Sequence, residues 1–190
     1  MRLRTHCCLL PAAVRLKMTE CCPLVEELTP APDAEEVFLR MAGGPHCLFL
    51  DSALRHPVLG RYSFAAADPF DYLEMPAQGA DALEELSRRM AGLETERVAG
   101  LPPFQGGAAG LLSYELGRQL EVLPRPPFDE FQLPALAVGL YDVVVALDHL
   151  QQRGWIISQG LPETEPARRR RRAEARLEEA RARLSGPARS

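Results

Sequence analysis

Lysine is almost missing from this chain: of 22 basic residues only Lys17 is a lysine, and the rest are arginines. A phosphate-cradling loop ending in Gly-Lys-Ser/Thr is thereby excluded, and the segment Gly106-Gly107-Ala108-Ala109-Gly110 needs another reading. No run of eighteen apolar residues occurs, so no segment reads as membrane-spanning. The apolar stretch from Cys7 to Val14 is cut by Pro11 and closed by Arg15, with no small-residue cleavage site behind it, which argues against a secretory leader. The cysteines, Cys7, Cys8, Cys21, Cys22 and Cys47, offer two adjacent pairs, one single residue and no CxxC spacing. Reduced bystander thiols are therefore expected, with no metal site and a cytoplasmic location.

What is present fits one globular domain with tails, because 190 residues at 46% hydrophobic content can bury a real core but are short for two domains. The net charge of −4 is unevenly placed: residues 166–190 hold nine arginines and three glutamates, +6, and the other 165 residues carry −10. Residues 1–17 lack a helical or strand period and read as a disordered or start-site extension ahead of Met18. Residues 18–165 form the domain proper, and residues 166–190 a basic helical tail or linker. The run from Arg168 to Arg172 invites a nucleic-acid reading. No aromatics interleave with it, and Ala173 to Leu184 is a strong helix former with Glu178 and Glu179 spaced to meet Arg181 and Arg183. With only Leu177 and Leu184 as an apolar stripe, a solvated helix is expected and no nucleic-acid partner.

Asp33 caps a short helix stopped by Gly43-Gly44, with Val37, Leu39 and Met41 turned partly inward. Cys47 to Leu50 and Tyr62 to Ala67 read as strands joined by a loop through Pro57 and Gly60. Asp81 to Met90 reads as a helix, with Leu83, Leu86 and Met90 three and four apart as an apolar stripe and Gly92 ending it in a left-handed conformation. From Gly106 to Leu116 small residues alternate with bulkier ones, as in a strand that other backbone approaches closely. Prolines 124, 126, 127 and 134 make residues 123–135 an extended loop. Ala137 to Leu147 carries the strongest strand signal, and Arg153 to Ser158 returns as its hairpin partner. Hairpins with few long helices predict an α+β fold, mainly antiparallel β-sheet with helices packed on one side.

The chemistry-bearing residues gather near two strand ends. Leu50, Asp51, Ser52, Arg61, Tyr62 and Ser63 combine an acid, hydroxyls, a guanidinium and an aromatic ring. Such a set could hold an amino acid, Asp51 or Ser52 meeting the ammonium, Arg61 the carboxylate and Tyr62 lining an apolar wall. Turns also collect Asp, Ser and Arg without any ligand, and residue types alone favour that plainer account. Asp142 within an apolar strand and Asp148-His149 at its end could do acid–base work or simply form a turn, and the turn is the better reading. No catalytic residue is assigned.

Three segments taken together carry a resemblance: Leu48-Phe49-Leu50-Asp51-Ser52, then Gly60-Arg61-Tyr62-Ser63-Phe64, then Pro103-Phe104-Gln105-Gly106-Gly107 continuing to Ser113-Tyr114-Glu115. In that order they resemble the amino-terminal domain of the chorismate-using synthases, the large subunits of aminodeoxychorismate synthase and anthranilate synthase, over about residues 20–180. The resemblance implies half of a two-sheet sandwich, normally completed by a carboxyl-terminal chorismate-binding domain that holds the catalytic groups and a Mg2+ ion. It makes the glycine-rich segment structural. It also makes Ser52 and Arg61-Tyr62-Ser63, with Leu50 and Asp51 beside them, a pocket for tryptophan. Anthranilate synthases commonly show Leu-Leu-Glu-Ser where this chain has Phe49-Leu50-Asp51-Ser52, and the shorter acid favours the aminodeoxychorismate branch. The implied activity of the complete enzyme is formation of 4-amino-4-deoxychorismate from chorismate and ammonia for 4-aminobenzoate and folate synthesis, with a glutamine amidotransferase subunit as ammonia source. This chain ends at Ser190, before a catalytic domain could begin, and is expected to need no cofactor itself. The alternatives are a tryptophan-feedback domain of anthranilate synthase and a stand-alone amino-acid-binding or interaction module.

Overall fold

The computed structural model describes residues 23–52, 54, 56–95, 97–124, 128 and 130–187. The expectations for residues 1–17 and for Cys7, Cys8, Cys21 and Cys22 lie outside the described residues. Among the described residues eight strands form two antiparallel sheets: β1 (Leu24–Leu28), β2 (Leu48–Leu50), β3 (Tyr62–Ala66), β4 (Asp71–Met75), β5 (Gly107–Leu112), β6 (Leu136–Tyr141), β7 (Val143–Asp148) and β8 (Arg153–Ser158). The larger sheet has the order β1-β8-β7-β3-β2 and the smaller β4-β6-β5. The helices are α1 (Ala34–Met41), α2 (Ala82–Met90) and α3 (Pro166–Ser185). The α+β class and the antiparallel pairing are as expected.

Local chemistry explains the element starts. Asp33 and Asp81 each accept two backbone amides at the head of α1 and α2, and Glu165 does the same for α3, where Pro166 supplies the fixed φ of a first turn. The hairpin between β7 and β8 forms in the register Asp148 opposite Arg153. The β7 run Val143 to Leu147 is buried on both faces, which is why it reads as unbroken apolar sequence. Val143, Val145 and Leu147 pack with Val37, Met41 and Leu177 under α1 and α3. Val144 and Ala146 pack with Trp155 and Ile157 on the opposite face, where Phe64, Leu101 and Phe104 close over them. A third cluster, around Leu73, Leu136 and Val138, lies under the smaller sheet with Ala82 of α2.

Four expectations are corrected. The single strand over Ala137 to Leu147 is two strands that belong to different sheets, and the chain passes between them at Asp142. Asp142 has no exposed surface; its carboxylate accepts from Arg172 Nε and Arg176 Nε, both at 3.2 Å, and its carbonyl accepts from the Gln159 amide at 2.7 Å. Burial pushes this carboxyl upward against the pull of Arg176 and Arg172. The basic helix is a packed element rather than a solvated one: Arg169, Ala173, Leu177 and Ala180 are buried. Arg176 also donates to Asp68 Oδ2 at 2.8 Å, Arg181 reaches Glu26 of β1, and Arg169 donates to the carbonyls of Gln159 and Glu94 at 2.9 Å each. In α2 the apolar stripe is split: Ala82 is buried and Leu86 packs against the cluster under the smaller sheet, while Leu83 and Met90 are 39% and 42% exposed. Finally, the Gly106 to Leu116 segment leaves the sheet after Leu112 and continues as a 3-10 turn over Tyr114–Gln119. Close approach of other backbone is real within it, since a Cβ on Gly110 would lie 2.2 Å from the Ala137 carbonyl oxygen. Strands β1 and β4 carried no signal that the sequence reading singled out. Among the described residues no helix is long and apolar enough to cross a membrane.

Candidate functional site

The ends of β2, β3 and β7 meet at one edge of the larger sheet, and the six residues singled out in sequence all lie there. Leu50 closes β2 and is half exposed, Asp51 and Ser52 follow it, and Arg61 precedes Tyr62 and Ser63 of β3. Strand alternation sends Tyr62 and Ser63 to opposite faces, and Arg61, which precedes the strand, turns to the Tyr62 side, so the set divides in two.

On the helix side, Ser63 is 1% exposed and donates its hydroxyl proton to Asp51 Oδ1. The imidazole of His149 approaches the same oxygen, Nε2 to Oγ 2.5 Å. A hydroxyl carries one proton, and with that proton on Asp51 the serine oxygen accepts from His149, which fixes a proton on Nε2. This order of donors runs opposite to that of an activated nucleophile, in which the ring nitrogen accepts from the hydroxyl. The arrangement ties three strand ends together: the His149 amide also donates to the Arg61 carbonyl at 2.8 Å.

On the other side, Arg61 embraces Asp148. Nε lies 3.1 Å from both carboxylate oxygens and Nη2 lies 2.6 Å from Oδ2, while the same carboxylate accepts the Leu150 and Gln151 amides at 2.9 and 3.1 Å. Burial by itself would push the Asp148 carboxyl up, but the guanidinium and the two amides outweigh it and hold the group below the ordinary carboxylate range. The guanidinium stands 4.9 Å above the Tyr62 ring, which in turn tilts against Phe64 at 6.2 Å between ring centres. The charge that could meet a ligand carboxylate thus already has a partner from its own chain. Ser52 Oγ points back towards the Leu54 carbonyl at 3.5 Å, in a loop that folds over Gly60, where any Cβ would fall 1.5 Å from that carbonyl oxygen.

His149 and Asp148 belong to this site, although their sequence position favours a turn over acid–base work. The available signal was their position at the predicted strand end, but pairing them with Arg61 and Ser63 needs the β3–β7 register, Tyr62 opposite Asp148 and Ser63 opposite Leu147. A groove of about 760 Å³ lies elsewhere, lined by Glu74, Met75, Glu115, Arg118, Gln132 and Leu133 at the smaller sheet. There Arg118 is held by Glu115 and by the Leu123 and Pro124 carbonyls, 2.8 and 3.0 Å away. Burial pushes the half-buried Cys47 thiol upward, with Arg183 opposing, so it is a poor thiolate. No group of three or more His, Cys, Asp or Glu side chains among the described residues could hold a metal ion.

No protein-family model matches the chain. Among curated proteins it is similar to aminodeoxychorismate synthase component 1 of Salmonella typhimurium, 34% identical over 152 residues that make up 72% of this chain and 33% of the relative. Anthranilate synthase component 1 of Saccharomyces cerevisiae is 36% identical over 131 residues, 66% of this chain and 24% of the relative. The chain thus spans a third or less of these two relatives. Among solved structures, anthranilate synthase component I from Streptococcus pneumoniae TIGR4 matches with a TM-score of 0.55 at 20% identity, over 72% of this chain and 32% of that one, a likeness of fold.

Proposed function

This chain is a homologue of the component 1 polypeptides of aminodeoxychorismate synthase and anthranilate synthase, and on that premise we propose that it is the amino-terminal effector and scaffold domain of an aminodeoxychorismate synthase component 1. The observation that carries the reading is the correspondence with about a third of such a polypeptide. In addition, Leu50 to Ser52 and Arg61 to Ser63 converge at one sheet edge. The complete enzyme forms 4-amino-4-deoxychorismate from chorismate and ammonia for the folate route. Its chorismate-binding domain is supplied by further polypeptide, in the same or a separate chain, and its ammonia by a glutamine amidotransferase subunit. We assign the Mg2+ and the chorismate of that reaction to the chorismate-binding domain, and a scaffold and effector role to the residues of this chain. The role we assign to these residues is to hold the site where a tryptophan-like amino acid binds: Tyr62 lines an apolar wall, and Arg61, its planar guanidinium oriented by Asp148, presents its remaining N–H groups.

The test has two arms. The purified chain, given chorismate, magnesium and ammonia, yields no product by itself; paired with a chorismate-binding polypeptide it yields 4-amino-4-deoxychorismate. Turnover by the homogeneous chain alone overturns the scaffold reading. Anthranilate as the product of the pair moves the assignment to the tryptophan-feedback domain of anthranilate synthase, the reading favoured by the yeast relative. Calorimetry with tryptophan on the pair, and on its Arg61→Ala and Ser52→Ala variants, places the ligand: binding weakens in both, and equal binding in all three puts the ligand elsewhere.

A further inference from the structure

The two sheets have four edges, and the described residues protect three of them. β1 carries Glu26 and Glu27, β4 carries Asp71 and Glu74, and β2 is only three residues long. Charge and brevity are the usual guards against pairing with a foreign strand. The fourth edge, β5, has six residues, Gly107-Ala108-Ala109-Gly110-Leu111-Leu112, with neither charge nor proline, and no described strand pairs with its outer side. Leu111 and Leu112 are 42% and 54% exposed there.

We infer that β5 is a self-association edge, and that its occupant is β5 of a second copy of this chain, paired antiparallel about a two-fold axis through Gly110. The composition of the strand is self-complementary under that operation. The two-fold axis stands perpendicular to the sheet, so each residue faces one on the same side. Leu112 then lies opposite Ala108 of the other copy, Leu111 opposite Ala109, and Gly110 opposite itself. Every leucine meets an alanine, so the large side chains interdigitate rather than collide. The faces agree as well. Ala108 packs into the cluster around Leu136 and Val138, and Ala109 into the one around Trp155 and Tyr141. By strand alternation Leu112 extends the first of these clusters across the joint and Leu111 the second. With no charge on either strand, nothing repels, and the joint turns two three-stranded sheets into one six-stranded sheet. Strand addition over six residues buries less than the roughly 800 Å² per partner of a stable interface, so the association belongs to the weak, concentration-dependent class.

Sedimentation velocity over a dilution series, with hydrogen exchange followed by mass spectrometry on the same samples, tests this. The expected result is a monomer–dimer equilibrium in which amides of 107–112 gain protection as the dimer fills. Leu111→Lys and Leu112→Lys each weaken dimerisation by at least about tenfold, since each removes two symmetry-related apolar cross-strand pairs and places two like charges in the joint. Leu150→Lys, at an exposed position in the turn between β7 and β8, leaves it unchanged. Both leucines are half exposed, so the lysine variants keep the parent circular dichroism. A monomer at every concentration overturns the inference. So does a dimer that survives both lysine variants or leaves 107–112 unprotected, and so does a β5 edge that pairs only with a different polypeptide.

Discussion

Replacing Asp148 by asparagine isolates the bond on which the candidate site is built. The side chain is nearly isosteric, so the turn contacts to Leu150 and Gln151 can persist through the amide oxygen, while the guanidinium of Arg61 loses the carboxylate it embraces. A hydrogen bond to a charged partner contributes about 1.5–3 kcal/mol. Asp148 is 3% exposed but Arg61 is 26% exposed, so solvent reaches one end of the pair, and a loss of about 2 kcal/mol is expected. With a urea dependence of about 2 kcal/mol per molar, the unfolding midpoint of Asp148→Asn falls by about 1 M. The pH dependence follows from the depressed carboxyl of Asp148. A carboxyl held down in the folded state stabilises it above the unfolded value, near about 3.9, and that contribution drains away as pH falls through the folded value. Asparagine has nothing to lose there. Parent and variant midpoints, separate at neutral pH, therefore converge below about pH 4. An unchanged neutral-pH midpoint, or a gap that widens in acid, refutes the reasoning that Arg61 is committed to Asp148.

Two further outcomes bear on the packing around this site. Leu177→Ala in α3 removes a side chain that is 4% exposed beneath the basic helix and should cost about 2–5 kcal/mol in denaturant unfolding, whereas a solvated helix would lose almost nothing. Gly60→Ala drives a methyl into the Leu54 carbonyl and should cost about 1–3 kcal/mol while opening residues 56–60 to limited proteolysis; parent-like resistance to the protease would show that the Leu54 carbonyl does not lie against Gly60.

Much of the local architecture was legible in the linear order of residues, for reasons that are themselves local. Asp33 and Asp81 cap helices by reaching amides two and three residues away, and the β7–β8 hairpin needs only two β-rich runs and a short turn between them. The segments from Leu48 to Ser52 and from Gly60 to Phe64, with the glycine-rich run after Pro103, also carry the likeness to component 1 synthases in their linear order alone. What sequence order left undetermined were the decisions that depend on partners far along the chain. A run of apolar residues looks the same whether it stays in one sheet or crosses to another; the break at Asp142 exists because Arg172 and Arg176, some thirty residues on, meet its buried carboxylate there. The arginine-rich helix reads as a solvated tail until Asp68, Glu26 and the Gln159 carbonyl are brought to its surface by the sheet. At the candidate site, Asp51, Ser63 and His149 bring together residues up to 98 positions apart through the β2–β3 and β3–β7 registers. Short-range signals act through bonded neighbours and survive in the sequence, but register and burial are set by the sum of contacts over the whole chain, so only the folded molecule could select which acid Arg61 holds.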